Sequence, residues 1–199
     1  IHAYPGQTQV RNGDYPAILA KYKQHVPQGK KILLGEAGYK YWQEADSVLG
    51  AEYLRRAEKH PFTKGSDSNM FVYDYFYGLD MPLLAIEVMN GGYSGMAVWM
   101  LDDAMHSRGD SGKTEDIKLW GMWNILGEEV FNKPDEEEMR PWYYTWSLMC
   151  RNFPAGSDIL KTTLTDTSAG VYAVAGKHNG KLTVALVNVG DEDKTVTLN

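Results

Sequence analysis

Apolar runs alternate with helix-like patterns along the first half of the chain. The pattern predicts a strand over residues 1–4, a helix over 15–25 and a strand over 31–35. A helix over 70–89 and a strand over 95–101 continue the alternation. Apolar strands separated by helices indicate a parallel sheet that is covered on both faces.

Two further helices and one irregularity are predicted from local signals. A short helix is expected near 51–59, and a longer one over about 140–152 has Pro141 in its first turn. Pro82 lies inside the predicted helix over 70–89 and is expected to kink or break it.

The last part of the chain changes to a β pattern rich in Thr, Val and Leu. Alternation over 171–174 and 182–187 predicts two strands, and the intervening Asn179-Gly180 pair is typical of a two-residue hairpin turn. A further strand is predicted over 195–198.

Composition narrows the classes of partner. The 199 residues carry 20 Lys and Arg against 26 Asp and Glu, a formal net charge of -6, which argues against nucleic acid as a partner. The longest apolar stretches are far shorter than the roughly 20 residues that a membrane span needs. Cys150 is the only cysteine, so an internal disulfide or a cysteine zinc cluster is excluded. No metal site and no cofactor are predicted.

The most informative carboxylate is Glu36, which ends the apolar run at 32–34 between Gly35 and Ala37. In a (β/α)8 barrel the C-terminal ends of the strands form the active-site face, so an acid at this point is typical of a catalytic residue. Small residues at Gly35 and Gly38 are expected to leave room for a ligand. The alternative is that Glu36 caps a following helix or pairs with an arginine.

Three short motifs in chain order resemble the retaining glycoside hydrolases of clan A, which have a (β/α)8 barrel. His2-Ala3-Tyr4 is similar to the His-x-Tyr motif of strand six, Glu36 to the nucleophile at the end of strand seven, and Trp99 to the tryptophan of strand eight. The segment 140–157 also resembles the last barrel helix and the exit towards an accessory β-sandwich.

The resemblance implies an α/β fold: the C-terminal part of a TIM (β/α)8 barrel followed by an all-β accessory domain, with the chain truncated at both ends. The predicted domains are residues 1–157, holding strands six to eight of the barrel, and residues 158–199, a partial β-sandwich. Three strands cannot close an eight-stranded barrel, so the chain is expected to need the N-terminal barrel portion of its parent. A secreted or periplasmic location is favoured over a cytoplasmic one.

The resemblance also implies roles for individual residues. Glu36 would be the catalytic nucleophile, Tyr4 would keep it ionised and oriented, and His2 would sit beside the substrate. Trp99 would offer an apolar floor for the C–H face of a sugar. The predicted function is hydrolysis of β-glycosidic bonds in a poly- or oligosaccharide, with the acid/base supplied from upstream, so this part alone is expected to be inactive.

Some residues keep two interpretations. Asp102 and Asp103 follow the predicted strand over 95–101 and would either bind sugar hydroxyls or cap a loop. Trp42, Trp120 and Trp123 lie on predicted loops and would either form sugar subsites or pin those loops to the barrel rim.

A second function class remains open. A non-catalytic carbohydrate-binding or scaffold protein would keep the barrel and its aromatic platform without the upstream acid. A serine-dependent α/β hydrolase is disfavoured because the chain has no Gly-x-Ser-x-Gly motif.

Overall fold

A parallel sheet, a two-stranded ribbon and an antiparallel sheet follow one another along the chain. The structure is a computed structural model that describes residues 1–60, 68–105, 117–166 and 170–198. The α-helices in these residues are α1 (Gln7–Arg11), α2 (Tyr15–Gln24), α3 (Ser47–Lys59), α4 (Tyr75–Asn90), α5 (Gly127–Phe131) and α6 (Pro141–Asn152). The strands are β1 (His2–Ala3), β2 (Leu33–Ala37), β3 (Gly95–Val98), β4 (Ala104–Met105), β5 (Ile117–Lys118), β6 (Asp158–Leu160), β7 (Val171–His178) and β8 (Lys181–Asn188).

The parallel sheet has the order β1-β2-β3, so each strand pairs with its neighbour in sequence. His2 lies opposite Glu36, and Leu34 lies opposite Met96. This confirms the predicted mixed α/β class with parallel strands. The described residues do not form a closed barrel, and the outer edges of β1 and β3 pair with no strand among them.

Helix α4 is the centre of the hydrophobic core. Its residues from Asp80 to Val88 are buried without interruption, as expected for a helix covered on all sides. The helix continues through Pro82, so the expected break at that residue does not occur. The helix was predicted to begin at residue 70, but it begins at Tyr75, and residues 70–74 form turns. No helix among the described residues combines the length and the apolar content needed to cross a membrane.

Packing on all sides explains why Pro82 is tolerated. Pro82 has no N–H to donate to the carbonyl oxygen of Gly78, which lies one turn earlier. This part of α4 packs against the start of α6. A Cβ on Gly78 would lie 3.6 Å from the backbone of Trp142, so the two helices approach closely here. Burial against neighbouring elements therefore outweighs the loss of one helical hydrogen bond.

The antiparallel sheet has the order β6-β7-β8, and its hairpin turn forms as predicted. Asn179 and Gly180 both have positive φ, 47° and 80°, which is the backbone conformation that this turn type requires. The predicted strand over 195–198 is wrong. Those residues are exposed and pair with no strand of the described part of the chain.

The two sheets share one hydrophobic core. Val174 of β7 and Val187 of β8 belong to the same buried cluster as the α4 side chains. The Asn90 amide also donates a 2.9 Å hydrogen bond to the Ala173 carbonyl, and the Tyr172 hydroxyl donates one to the Arg11 carbonyl. The predicted domain boundary at 157/158 stays a prediction, and these contacts bind the two sides of that boundary together.

Candidate active site

Glu36 lies near the C-terminal end of the central parallel strand β2. It is flanked by β1 on one side, where His2 is its lateral partner, and by β3 on the other. Laterally paired residues of parallel strands project to the same face, and residues two apart on one strand do so as well. His2 and Tyr4 are therefore placed to reach Glu36 together.

One carboxylate oxygen of Glu36 is held by both of these residues. The Tyr4 hydroxyl donates a 3.0 Å hydrogen bond to Oε2, and Nδ1 of His2 lies 3.2 Å from the same atom. The other oxygen, Oε1, has no hydrogen-bond partner among the described residues. The Glu36 side chain is 29 % exposed, so it is sheltered but open to a ligand. The carboxylate is thus oriented through one oxygen while the other is available.

Trp99 directly follows β3 on the other side of Glu36. Its backbone N–H donates a 2.8 Å hydrogen bond to the Ala37 carbonyl, which extends the sheet register one residue beyond Glu36. Its side chain is half-buried, and the peptide bond to Met100 is cis. The four predicted site residues His2, Tyr4, Glu36 and Trp99 therefore lie at the same end of the parallel sheet.

The expectation that Gly38 leaves room for a ligand stays a prediction. A Cβ at this position would lie 3.4 Å from the Tyr4 ring and 3.5 Å from the Trp99 carbonyl oxygen. A Cβ at Gly38 would thus make ordinary van der Waals contacts with both residues. Gly35 is similar, since its nearest neighbour is the exposed ring of His2 at 3.6 Å.

Trp120 supports Tyr4 from behind. The two rings meet edge to face, with centroids 5.7 Å apart and planes at 67°, a favourable aromatic arrangement. Trp120 is buried, at 2 % exposure, which favours the interpretation that it pins a loop over that of a sugar subsite. The backbone N–H of Trp120 donates a 2.9 Å hydrogen bond to Oδ1 of Asp103, so this aspartate also anchors the loop that carries Trp120.

Asp103, predicted to bind substrate, lies in a buried ion pair. Its two oxygens accept hydrogen bonds of 2.8 and 2.6 Å from the Arg140 guanidinium, and Oδ1 also accepts the N–H of Gly121 at 2.8 Å. Both side chains of the pair are at most 3 % exposed. These contacts favour a structural role in which Asp103 holds the Trp120 loop.

Asp102 points to a different part of the same loop. Its Oδ1 accepts a 3.0 Å hydrogen bond from the Ile125 N–H, and burial raises the pKa of its carboxyl group. It makes no hydrogen bond to Glu36 within the described residues. The structure therefore places neither aspartate in contact with the nucleophile candidate, and their sugar-binding role stays a prediction.

Lys40 is a site residue that the sequence motifs did not identify. Its Nζ lies 5.0 Å from the centre of the Tyr4 ring, 5.5 Å from that of Trp42 and 5.7 Å from that of Trp120. Distances of this size allow cation–π attraction. A signal was present in the sequence, because the run Tyr39-Lys40-Tyr41-Trp42 places a single cation among aromatic residues directly after β2.

Among the described residues, no group of three or more His, Cys, Asp or Glu side chains is placed to hold a metal ion. Comparison of the sequence with protein family models, with curated proteins and with solved structures finds no match. The side-chain geometry around Glu36 is therefore the basis for the function proposed below.

Proposed function

We propose that this chain carries the nucleophile half of a retaining β-glycoside hydrolase active site, with Glu36 as the nucleophile. The observation that carries the proposal is the asymmetric environment of the Glu36 carboxylate. Oε2 is held by Tyr4 and His2, whereas Oε1 has no partner among the described residues. A nucleophile needs this combination of fixed orientation and an available lone pair.

The reaction would proceed in two steps. Glu36 Oε1 attacks the anomeric carbon of the sugar, the glycosidic C–O bond breaks, and the departing oxygen takes a proton from a general acid. The resulting glycosyl ester is then hydrolysed by a water molecule, which gives its proton back to the same group and restores Glu36. Tyr4 and His2 keep the carboxylate oriented in both steps, and the half-buried Trp99 offers an aromatic surface to the sugar ring.

The general acid belongs to a different part of the barrel in this proposal. Retaining enzymes place their two carboxyl groups about 5–5.5 Å apart. The outer edges of β1 and β3 pair with no strand of the described residues, which is consistent with further parallel strands on both sides. Such strands would close a (β/α)8 barrel and bring the second carboxyl group opposite Glu36. The fold in this proposal is thus the C-terminal part of such a barrel with an accessory β-sandwich.

A 2-fluoro glycoside with a dinitrophenyl leaving group tests the proposal, because such a leaving group needs little acid assistance. The protein as encoded in full is incubated with a panel of these reagents, digested and analysed by mass spectrometry. The expected result is a covalent adduct on the peptide that contains Glu36, and no adduct in the Glu36→Gln variant. An adduct on another carboxylate would overturn the assignment.

A non-catalytic carbohydrate-binding protein is the second candidate. It is favoured by one observation: the half-buried Trp99 lies at the same end of the sheet as Glu36, and sugar binding on its aromatic surface needs no second carboxyl group. Under this alternative the same reagents leave no adduct, while sugars still bind beside Trp99 and change its fluorescence.

A further inference from the structure

A buried ion pair joins the start of α6 to the loop that follows β3. Arg140 directly precedes α6 and donates hydrogen bonds of 2.8 and 2.6 Å to the two carboxylate oxygens of Asp103. Net stabilisation is a weak explanation for a buried pair of this kind, because the desolvation of both charges offsets most of their attraction. Two parallel hydrogen bonds between planar groups do fix the positions of both side chains.

The ion pair also holds the backbone of residues 120–123, which we call the Trp120 segment. Oδ1 of Asp103 accepts the N–H groups of Trp120 and Gly121 at 2.9 and 2.8 Å. Nη1 of Arg140 donates a 2.8 Å hydrogen bond to the Gly121 carbonyl. A Cβ on Gly121 would lie 2.4 Å from the Asp103 nitrogen, so the segment already lies as close to this loop as its backbone allows. The pair therefore determines where the Trp120 segment lies.

Trp120 connects this segment to the candidate nucleophile. Its ring meets the Tyr4 ring edge to face, with centroids 5.7 Å apart, and the residue is only 2 % exposed. The Tyr4 hydroxyl donates the 3.0 Å hydrogen bond to Oε2 of Glu36. A close-packed interior has few voids that could absorb a displacement of one ring against the other. A continuous path of described contacts therefore runs from the ion pair to Glu36.

We infer that the Asp103–Arg140 pair positions the Tyr4 hydroxyl against Glu36, by holding Trp120 against the Tyr4 ring. The inference rests on the proposed function, in which Glu36 is the nucleophile. Both members of the pair are then positioning residues, which act through Trp120 and not on the reacting atoms. A misplacement of about 1 Å at a reacting group lowers a rate by up to about 100-fold, so such a role affects the reaction as well as stability.

Isotope-edited NMR of the tyrosine Cζ carbons reports the Tyr4 hydrogen bond without requiring catalysis. In the protein as encoded in full, the Tyr4 signal is identified by its absence from Tyr4→Phe. Glu36→Gln shows the direction in which the signal moves when the acceptor loses its charge. We expect Asp103→Asn to move the signal in that same direction, because the Trp120 segment is no longer held in place.

Glu136→Gln is the matched control for the loss of charge beside Arg140. Oε2 of Glu136 lies 3.1 Å from the same guanidinium, but it accepts its other hydrogen bond from the Tyr73 hydroxyl at 2.7 Å and not from the Trp120 segment. This substitution should leave the Tyr4 signal in place.

Trp120→Phe is a second test variant, which leaves the ion pair intact. It removes the part of the indole ring that reaches Tyr4, so it should move the Tyr4 signal as Asp103→Asn does. Urea unfolding establishes that each variant is folded under the conditions of the measurement. Trp120→Phe decides the inference if Asp103→Asn does not fold.

Labelling kinetics separate positioning from general loosening of the fold. The rate constant for labelling of Glu36 by a 2-fluoro glycoside should fall about 2- to 10-fold in Asp103→Asn and Trp120→Phe, the equivalent of one aromatic pair contact. The dissociation constant of the reagent should not change. In a Tyr4→Phe background the same two substitutions should have no further effect, because the hydroxyl through which they act is absent. Additive losses in that background would contradict the inference.

The two measurements distinguish failure of this inference from failure of the proposed function. A Tyr4 signal that stays in place in both folded test variants would overturn the inference, and so would an equal shift in Glu136→Gln. The expected shifts without any adduct on Glu36 would remove the proposed hydrolysis and keep the positioning of Tyr4. An adduct that forms at the same rate in every variant would keep the hydrolysis and remove this inference.

Discussion

The Tyr4 hydroxyl donates a 3.0 Å hydrogen bond to Oε2 of Glu36 across two neighbouring parallel strands. The same tyrosine ring also packs against Trp120 and lies under the Lys40 ammonium. Tyr4 thereby couples the orientation of the nucleophile candidate to the aromatic cluster beside it. Its hydroxyl and its ring make separate contributions that substitution can distinguish.

Removal of the hydroxyl alone should reduce catalysis without loosening the ring packing. Hydrogen bonds to charged groups contribute about 1.5–3 kcal/mol, so Tyr4→Phe is expected to lower kcat/KM by roughly 10- to 150-fold. The measurement is hydrolysis of an activated aryl β-glycoside by the protein as encoded in full. Tyr22→Phe, at an exposed position of α2, is the control. An unchanged kcat/KM for Tyr4→Phe would show that this hydrogen bond does not serve the reaction.

The Asp103–Arg140 ion pair should be essential to stability. Asp103→Asn removes the carboxylate that accepts two hydrogen bonds from the buried Arg140 guanidinium and leaves it only Glu136, at 3.1 Å, as a counter-charge. Removal of one partner of a buried pair costs up to about 3–5 kcal/mol. Asp102→Asn weakens a single backbone contact and should cost about 1 kcal/mol or less. Urea unfolding of both variants measures the difference. A stable Asp103→Asn protein that has lost sugar binding would instead restore the predicted substrate-binding role.

Glu87 should make the stability depend on pH. Burial in α4 raises the pKa of its carboxyl group to about 7, and the side chain has no ion-pair or hydrogen-bond partner among the described residues. The folded state therefore binds this proton more tightly than the unfolded state, whose pKa is near 4.5. The stability that the neutral carboxyl group provides is complete below about pH 4.5, falls as the pH rises, and is lost above about pH 7.

Glu87→Gln removes this titration. Between pH 5 and 8 the unmodified protein should lose about 2–3 kcal/mol more of its unfolding free energy than the variant does. Urea unfolding at several pH values provides the measurement. Glu58→Gln, at an exposed position of α3, should follow the unmodified protein. Parallel pH profiles for the Glu87→Gln variant and the unmodified protein would show that Glu87 is not the titrating group.

The same substitution should destabilise the protein at one glycine and be nearly neutral at another. A Cβ on Gly121 would lie 2.4 Å from the Asp103 nitrogen and 2.5 Å from the Asp102 carbonyl carbon, so Gly121→Ala must displace backbone and should cost about 1–3 kcal/mol. At Gly35 the nearest atoms belong to the exposed His2 ring at 3.6 Å, and Gly35→Ala should stay within about 0.5 kcal/mol of the parent. Unfolding midpoints compare the two variants. A neutral Gly121→Ala would mean that this loop can shift away from Asp103 without loss.

Local patterns predicted the regular elements well where one short-range signal dominated. The strand that delivers Glu36, the helix after Tyr15 and the Asn179-Gly180 hairpin all form close to their predicted positions. The predictions failed where distant packing outweighed the local preference. Pro82 lies in an unbroken helix because α4 is buried on all sides, and the apolar alternation over 195–198 forms no strand because it has no partner in the described part of the chain.

The candidate site likewise has features that the sequence predicts and features that it does not. The residue types and their order along the chain, His2 and Tyr4 before Glu36 and Trp99, are enough to indicate a carboxylate at the end of a parallel strand. The sequence could not show that Asp103 turns inward to Arg140, nor that Lys40 lies among three aromatic rings. Both arrangements join residues that are distant along the chain or depend on the path of a loop.

The sequence by itself determined the alternation of strands and helices and the chemistry available at the end of β2, because hydrophobic periodicity and turn residues act over a few positions. Only the tertiary structure decided which oxygen of Glu36 is held, which aspartate is buried and which ring faces surround Lys40. Those outcomes depend on register between strands and on close packing between distant segments, where a shift of about one residue would exchange the buried and exposed faces.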